Sequence, residues 1–209
     1  MFSIDVVNLY GSIPLVEAVS AVTDMIEEHK EDIDLCGLTP DDITRLLTQC
    51  LENNTFRFDN DHYKQRLGIA MGNKVAPPVA IIFLHQFEQA AIGNATRKPD
   101  FYARYIDDSI GVWTHSYEEL QEFIQYLNSI HPTIKFTLED THTSGKVALL
   151  DTLVTVDSNS KYSTELYIKP KHSICGYHSS DVLTPNDHQK IGDSFRVSPC
   201  HENIFGCSS

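Results

Sequence analysis

Three aspartates of this 209-residue chain lie among apolar residues. Asp5 follows Phe2-Ser3-Ile4 and precedes two valines, while Asp107 and Asp108 lie between Ile106 and a second apolar stretch. Burying an unpaired carboxylate costs several kcal/mol or shifts its pKa, so Asp5 in particular is expected to need a partner for its charge. Taken singly, each aspartate also fits an ordinary turn residue or strand cap, and the residues alone leave that alternative open.

Together the three carboxylates predict a magnesium site. Carboxylate oxygens suit Mg²⁺, and two ions about 3.5–4 Å apart can activate a hydroxyl group and stabilise a leaving pyrophosphate. Such phosphoryl transfer depends mainly on positioning and charge stabilisation. Because neighbouring strand residues point to opposite faces, Asp107 and Asp108 can reach the same ions only at a hairpin turn. We expect Asp5 and Asp107 to be the principal ligands and Asp108 a secondary one.

An α+β fold with an antiparallel sheet and packed helices is predicted to position these residues. Strands are expected at residues 1–7, on both sides of Asp107-Asp108 within 101–113, and at 134–138, 148–156 and 165–168, with a turn at 157–160 and a further hairpin within 56–66.

Four helices are predicted from apolar spacing and start signals. The first in the chain begins near Ser12 and Pro14. The one that extends from about Pro78 to Ala91 is largely apolar. A third begins at Thr39-Pro40 and a fourth at a capping box from Ser116 to Glu119. Their expected apolar faces are Leu15, Val19, Val22 and Ile26 in the first, Ile43, Leu46, Leu47, Cys50 and Leu51 in the third, and Leu120, Phe123, Ile124 and Leu127 in the fourth.

The length and composition indicate either one globular domain or one domain with a small appendage. Hydrophobic residues make up 41% of the chain, and no stretch approaches the roughly 18 apolar residues of a membrane span, so no membrane association is expected. No secretory signal is evident at the N-terminus, and the five scattered cysteines lack the spacing of a zinc site or disulfide framework. A reducing compartment, the nucleus or the cytoplasm, is therefore expected.

The net charge of −13 points away from nucleic-acid binding, because affinity for nucleic acid depends on Lys and Arg that neutralise phosphates.

Three ordered segments nevertheless resemble the palm motifs of reverse transcriptases. They are FSIDVVNLYGSIP at 2–14, GIAMGNKVAP at 68–77 and ARYIDDSIGVW at 103–113. The details are most similar to the Penelope-like retroelement group, which typically has a Y-x-Q-x-x-G-x-x-M-G string and a later L-D followed by Y-x-K-P. The matching residues here are Tyr63, Gln65, Gly68, Met71 and Gly72, then Leu150, Asp151, Tyr167, Lys169 and Pro170.

This resemblance implies an RNA-directed DNA polymerase of retrotransposon origin. Asp5, Asp107 and Asp108, with the backbone carbonyl of Val6, would hold two Mg²⁺ ions, or Mn²⁺ in their place. The partners implied are an RNA template, a DNA primer and deoxynucleoside triphosphates. The palm, with its primer-grip hairpin, would occupy residues 1–171, and residues 172–209 would form a partial, thumb-like tail.

The resemblance also assigns residues around the incoming nucleotide and the primer. Tyr10 would lie under the sugar and exclude a 2′-hydroxyl, whereas Met71 and Gly72 would line the nucleotide and template pocket. Tyr105 and Ile106 would touch the primer end, and residues 150–169 would form the primer grip. Without the resemblance, Tyr10 is equally compatible with a core aromatic, and the last two sets with ordinary strand packing.

The chain departs from the family in one respect that bears on activity. Reverse transcriptases carry a basic fingers region before the first palm motif, and here only four residues precede Asp5. The expectation is therefore a palm fragment, whose acidic charge reflects the missing basic regions. A catalytically inactive palm that binds nucleic acid or protein is the alternative hypothesis.

Overall fold

The structure, a computed structural model, describes residues 1–157, 159 and 161–168. The strands are β1 (Phe2–Val6), β2 (Thr55–Phe58), β3 (Asp61–Lys64), β4 (Phe101–Tyr105), β5 (Asp108–Val112), β6 (Phe136–Asp140), β7 (Lys146–Leu149), β8 (Thr152–Val156) and β9 (Tyr162–Leu166). The helices are α1 (Leu9–Ser12), α2 (Leu15–Glu28), α3 (Pro40–Glu52), α4 (Ala76–Asn94), α5 (Tyr117–Ile130) and α6 (Thr141–Ser144). The predicted α+β class is confirmed.

A four-stranded antiparallel sheet in the order β4-β5-β1-β6 forms the centre of the fold. Along β1 the side chains alternate between two faces. Phe2, Ile4 and Val6 are buried in the same hydrophobic core as residues of α2, α4 and α5. Asp5 therefore projects from the opposite face, and its side chain is exposed.

Two of the predicted helix starts have the expected caps. The Thr39 hydroxyl accepts a hydrogen bond from the Asp42 amide in α3, and the Ser116 hydroxyl accepts one from the Glu119 amide in α5. In both helices the acidic side chain also accepts from the cap residue's backbone amide, so each is a complete capping box. The apolar faces predicted for α2 and α5 are buried or half-buried.

The apolar face predicted for α3 was partly wrong. Leu47 and Leu51 are buried, whereas Leu46 is 56% exposed and Cys50 is also exposed. Helix α3 packs against α2, and Leu46 and Cys50 remain in contact with solvent.

The single strand predicted at 148–156 is in fact two strands joined by a tight turn. Leu149 pairs with Thr152, which leaves Leu150 and Asp151 as a two-residue loop. Leu150 has a φ of 53°, a backbone conformation that glycine and asparagine usually supply. Strands β7, β8 and β9 form a separate three-stranded antiparallel sheet.

Strands β2 and β3 form a two-stranded hairpin, as predicted, around a loop of Asp59 and Asn60. None of the helices in the described part of the chain is long and apolar enough to cross a membrane. Lys169 and Pro170, and the tail predicted at 172–209, lie outside the described residues.

Candidate functional site

The hairpin of β4 and β5 carries two of the three aspartates at its tip. Tyr105 pairs with Asp108, so Ile106 and Asp107 form a two-residue loop. Ile106 has a φ of 58°, which costs a branched side chain on the order of 1–3 kcal/mol. The prediction that Asp107 and Asp108 lie where the hairpin turns is confirmed.

The third aspartate lies directly across from this tip. In the register of β1 and β5, Asp5 is the partner of Asp108. Directly opposite residues on an antiparallel pair have Cβ atoms about 4.5–5.5 Å apart, and like charges there repel. The pairing of β1 with β5 thus brings together, at one end of the sheet, two carboxylates that lie more than a hundred residues apart in the sequence.

Asp5 and Asp108 both line a small cleft on the face of the sheet away from the helices. The cleft has a volume of about 110 Å³, and its walls are Ser3, Asp5, Asp108, Thr137, Glu139, Ala148, Leu150 and Tyr167. That volume has room for roughly three or four water molecules, whereas binding sites for organic ligands usually measure about 300–1,000 Å³. The cleft therefore fits a small hydrated ion.

The tip of a second hairpin closes one side of this cleft. The backbone amide of Leu150, in the β7–β8 turn, donates a hydrogen bond of 3.1 Å to Oδ2 of Asp108. The neighbouring Asp151 carbonyl accepts a bond of 2.7 Å from the Tyr167 amide. The first contact joins the β7–β9 sheet to the aspartate pair and orients the Asp108 carboxylate, and the second holds the residue after β9 against the same turn.

The premise that Asp5 is a buried charge was wrong, because its side chain is exposed at the end of β1. A divalent cation still fits the Asp5 and Asp108 pair, since carboxylate oxygens suit Mg²⁺. No group of three or more His, Cys, Asp or Glu side chains within the described residues is arranged to hold a metal ion. Mg²⁺ sites in polymerases commonly use one or two carboxylates and complete their coordination with water and substrate phosphates.

Asp107 is half-buried in the turn and, among the described residues, is absent from the walls of the cleft. The structure thus places Asp108, and not Asp107, opposite Asp5. The predicted ranking of Asp107 above Asp108 as a ligand remains a prediction.

The proposed sugar-contacting Tyr10 meets the second motif segment through its backbone. The Tyr10 carbonyl accepts a hydrogen bond of 2.7 Å from the Ile69 amide. Gly68 precedes Ile69 with a φ of 71°, and a Cβ there would collide with the backbone of Tyr10 and Gly11. The first and second motif segments are therefore in direct contact, as the first and third are through β1 and β5.

The remaining predicted residues differ in their exposure. Met71 is 73% exposed, and Gly72 is exposed, with no described atom within 4 Å of the place that a Cβ would occupy. Tyr105 is 61% exposed, whereas Ile106 is half-buried. The Val6 side chain is buried, and Val6 pairs with Phe136 of β6.

A buried polar cluster beneath the hairpin was not predicted from the sequence. The Arg104 Nε donates to both carboxylate oxygens of Glu88 at 2.8 Å. The Tyr102 hydroxyl donates to Glu88 Oε1 at 2.6 Å and is hydrogen-bonded to the fully buried Ser109 at 3.0 Å. Burial, and then the Glu88 carboxylate, raise the pKa of Tyr102 far above its ordinary value. A signal was present, since Glu88 is the single acidic residue of the apolar α4 segment.

Lys135 contacts the backbone at the end of α5. Its Nζ donates to the backbone carbonyl of His131 at 2.9 Å and to that of Asn128. These carbonyls end α5, where a positive charge is favourable. The contacts support a role in terminating α5.

Comparisons with known proteins identify the fold. No protein-family model and no curated protein sequence matches the chain. Apo telomerase from Candida tropicalis, truncated from its C-terminal domain, superimposes with a TM-score of 0.55 at 12% identity over 78% of this chain. Telomerase from Candida albicans in complex with a TWJ fragment of telomeric RNA gives 0.54 at 13% identity over 74%. The chain spans 35% and 29% of the lengths of those two chains.

The order of the sheet, the paired aspartates at its end and these structural neighbours agree with one another. The chain has a reverse-transcriptase-like α+β fold of the polymerase palm type.

Proposed function

We propose that this chain is the palm of a reverse transcriptase that transfers deoxynucleotides to a primer 3′ end. The observation that carries the proposal is the register of β1 and β5, which sets Asp5 opposite Asp108 at a hairpin tip within this fold. Structural likeness at 12–13% identity supports the fold, and the chemistry rests on the aspartates. The similarity of the motifs to Penelope-like elements supports a retroelement origin.

The carboxylates would hold two Mg²⁺ ions, or Mn²⁺ in their place, together with the Val6 carbonyl at the end of β1. When bound, such ions lower the pKa of the primer hydroxyl and neutralise the leaving pyrophosphate. Asp5 and Asp108 approach from neighbouring strands, and Asp107 approaches from the turn. The Leu150 amide fixes the orientation of Asp108, so this carboxylate needs little rearrangement when a cation arrives.

Nucleotide and nucleic acid would bind next to the cleft and not inside it, because about 110 Å³ is too small for a nucleotide. Tyr10, Met71 and Gly72 would contact the deoxynucleoside triphosphate, and Tyr105 and Ile106 the primer end. Binding of nucleic acid is supported by the telomerase neighbour that is in complex with RNA, and an RNA template is part of the proposal. The exposure of Met71 and Tyr105 leaves both side chains open to such contacts.

Deoxynucleotide incorporation on a primed RNA template in Mg²⁺ tests this proposal. We expect Asp107→Ala to lower incorporation at least about 100-fold, equivalent to ~2.7 kcal/mol of transition-state stabilisation. Asp24→Asn is the matched control, because Asp24 is exposed on α2 and lies outside the proposed site. Incorporation that Asp107→Ala and Asp5→Ala both leave unchanged would exclude the aspartates as the catalytic centre.

A second candidate is a palm that binds nucleic acid without turnover. It is favoured by the absence, within the described residues, of a preformed three-ligand metal cluster. Binding of a primed template distinguishes the two. Affinity that rises with Mg²⁺ and loses that response in Asp5→Asn supports the polymerase, whereas affinity that is independent of divalent ions supports the binding module.

A further inference from the structure

The ion pair of Glu88 and Arg104 joins α4 to the hairpin that carries the aspartates. The two side chains are only 11% and 9% exposed. Arg104 donates to both oxygens of the carboxylate at 2.8 Å. A buried pair in this geometry fixes both side chains, because either charge would be left buried without its partner if it moved.

The same arginine holds the hairpin turn. Its Nη1 donates a hydrogen bond of 2.9 Å to the carbonyl of Ile106, and its Nη2 donates one of 3.3 Å to the carbonyl of Ile81 in α4. The Ile106 carbonyl belongs to the peptide bond that leads into Asp107. Arg104 therefore determines the orientation of the peptide that carries the first of the two turn aspartates.

The turn needs such an anchor. Ile106 has a φ of 58°, and a branched residue keeps this conformation only where its surroundings impose it. Across the hairpin, Glu88 reaches Ser109 through the Tyr102 hydroxyl. The cluster thus contacts residues on both sides of Asp107 and Asp108.

We propose that Arg104, oriented by Glu88, is a positioning residue that holds the Ile106–Asp107 turn so that the aspartate carboxylates share a divalent cation with Asp5. This inference rests on the proposed function for the cation and adds the residues that arrange the site. The guanidinium group is required because one planar fork serves the carboxylate and the turn carbonyl together. A lysine has a single ammonium group and cannot make the same set of contacts.

Titration with Mn²⁺, followed by electron paramagnetic resonance, tests the proposal. Arg104→Lys keeps the charge but removes the fork, and we expect it to weaken Mn²⁺ binding by about 10–100-fold, the usual effect of losing a residue that orients metal ligands. Arg97→Lys is the matched control, because Arg97 pairs with Glu119 at the surface, and it should bind as wild type does. A folded Arg104→Lys protein with wild-type Mn²⁺ affinity would overturn the proposal.

A second variant guards against misfolding. Glu88→Gln combined with Arg104→Met replaces the buried pair by neutral side chains of similar size, a change that proteins often tolerate. If Arg104 were merely structural, this folded double variant would bind Mn²⁺ normally. We expect it to bind as weakly as Arg104→Lys, because it too lacks the guanidinium fork that joins the α4 carboxylate to the Ile106 carbonyl.

Nuclear magnetic resonance separates failure of this inference from failure of the proposed function. A wild-type protein without a saturable Mn²⁺ site would contradict the proposed function. The effect of Arg104 on the turn can still be measured without the metal. Relaxation dispersion of the Asp107 and Asp108 amides reports exchange on the μs–ms timescale. We expect such exchange in Arg104→Lys and its absence in wild type and Arg97→Lys. Identical profiles in all three proteins would refute the positioning role.

Discussion

Tyr102 places a phenol between a buried carboxylate and the hairpin. Its hydroxyl is bonded to Glu88 and to Ser109, and ionisation would set a second negative charge beside Glu88. The group is therefore held in its neutral form, which is the physical basis of its raised pKa. Its contribution to stability depends on pH in a direction that can be measured.

Tyr102→Phe should lower the free energy of unfolding by about 1–3 kcal/mol at pH 8, because Ser109 loses a partner while buried. The unfolded phenol releases its proton above a pKa of about 10, whereas the folded one does not. Wild-type stability therefore falls as pH rises through 10, by about 1.4 kcal/mol between pH 8 and pH 11, and the variant lacks this loss. Urea unfolding at pH 8 and pH 11 measures the difference between the two proteins.

Tyr105→Phe is the control for that series. The Tyr105 side chain is 61% exposed, so its removal should leave the pH dependence of unfolding as in wild type. A gap between wild type and Tyr102→Phe that stays constant from pH 8 to pH 11 would show that Tyr102 does not stabilise the fold as a buried neutral phenol.

Two glycines of the second motif segment should respond differently to substitution. Gly68→Ala is expected to destabilise the protein by about 1–3 kcal/mol or more, because Gly68 has a positive φ and contacts the Tyr10 and Gly11 backbone. Gly72→Ala should change stability by less than about 0.5 kcal/mol, because nothing lies near its Cβ position. Thermal unfolding measures both.

For nucleotide binding, Gly72 is the glycine whose substitution is expected to have an effect. If Gly72 lines the nucleotide pocket, Gly72→Val should raise the KM for deoxynucleotides although its fold is intact. An unchanged KM would remove Gly72 from the site, and a large loss of stability in Gly72→Ala would contradict the open surroundings of this residue.

At the level of helices and strands, local signals predicted the caps and two of the hairpins but missed the tight turn at Leu150 and Asp151. Thr39 and Ser116 lie at helix starts whose side-chain bonds involve residues only three positions away, so the sequence contains the whole interaction. Ile106 and Leu150 occupy positive-φ positions, where glycine and asparagine are the residues usually found. The Leu150 turn is held by a contact to Asp108, 42 residues away, and the Ile106 turn by Arg104, which Glu88 of α4 orients. The contacts to Asp108 and Glu88 are long-range and therefore invisible in a local pattern.

The capping box of α5 gives a direct test at this scale. Ser116→Ala should lower the free energy of unfolding by about 0.5–2 kcal/mol, because the Glu119 amide loses its acceptor. Ser20→Ala, at an exposed position within α2, should change it by less than about 0.5 kcal/mol. Chemical denaturation of the two variants measures the contrast, and equal effects would mean that the cap contributes nothing beyond helix propensity.

For the molecule as a whole, the important arrangement is the long-range register of the central sheet. Composition and periodicity predicted an antiparallel sheet and helices, but they contain no information on which strand pairs with which. The resemblance of the motifs to reverse transcriptases brought Asp5 and Asp108 into one predicted site. The structure adds that they are direct partners, and that Glu88 and Arg104 lie beneath the hairpin.

Saturable binding of Mn²⁺ to the 209-residue chain tests the central claim most directly. Titrations should be compared for wild type, Asp5→Asn, Asp108→Asn and the exposed control Asp24→Asn, with Mg²⁺ as the competitor. We predict that wild type and Asp24→Asn bind alike, and that Asp5→Asn and Asp108→Asn each bind at least about tenfold more weakly, a loss of ~1.4 kcal/mol. Equal Mn²⁺ binding by all four proteins would contradict the assignment of this aspartate pair as a metal site.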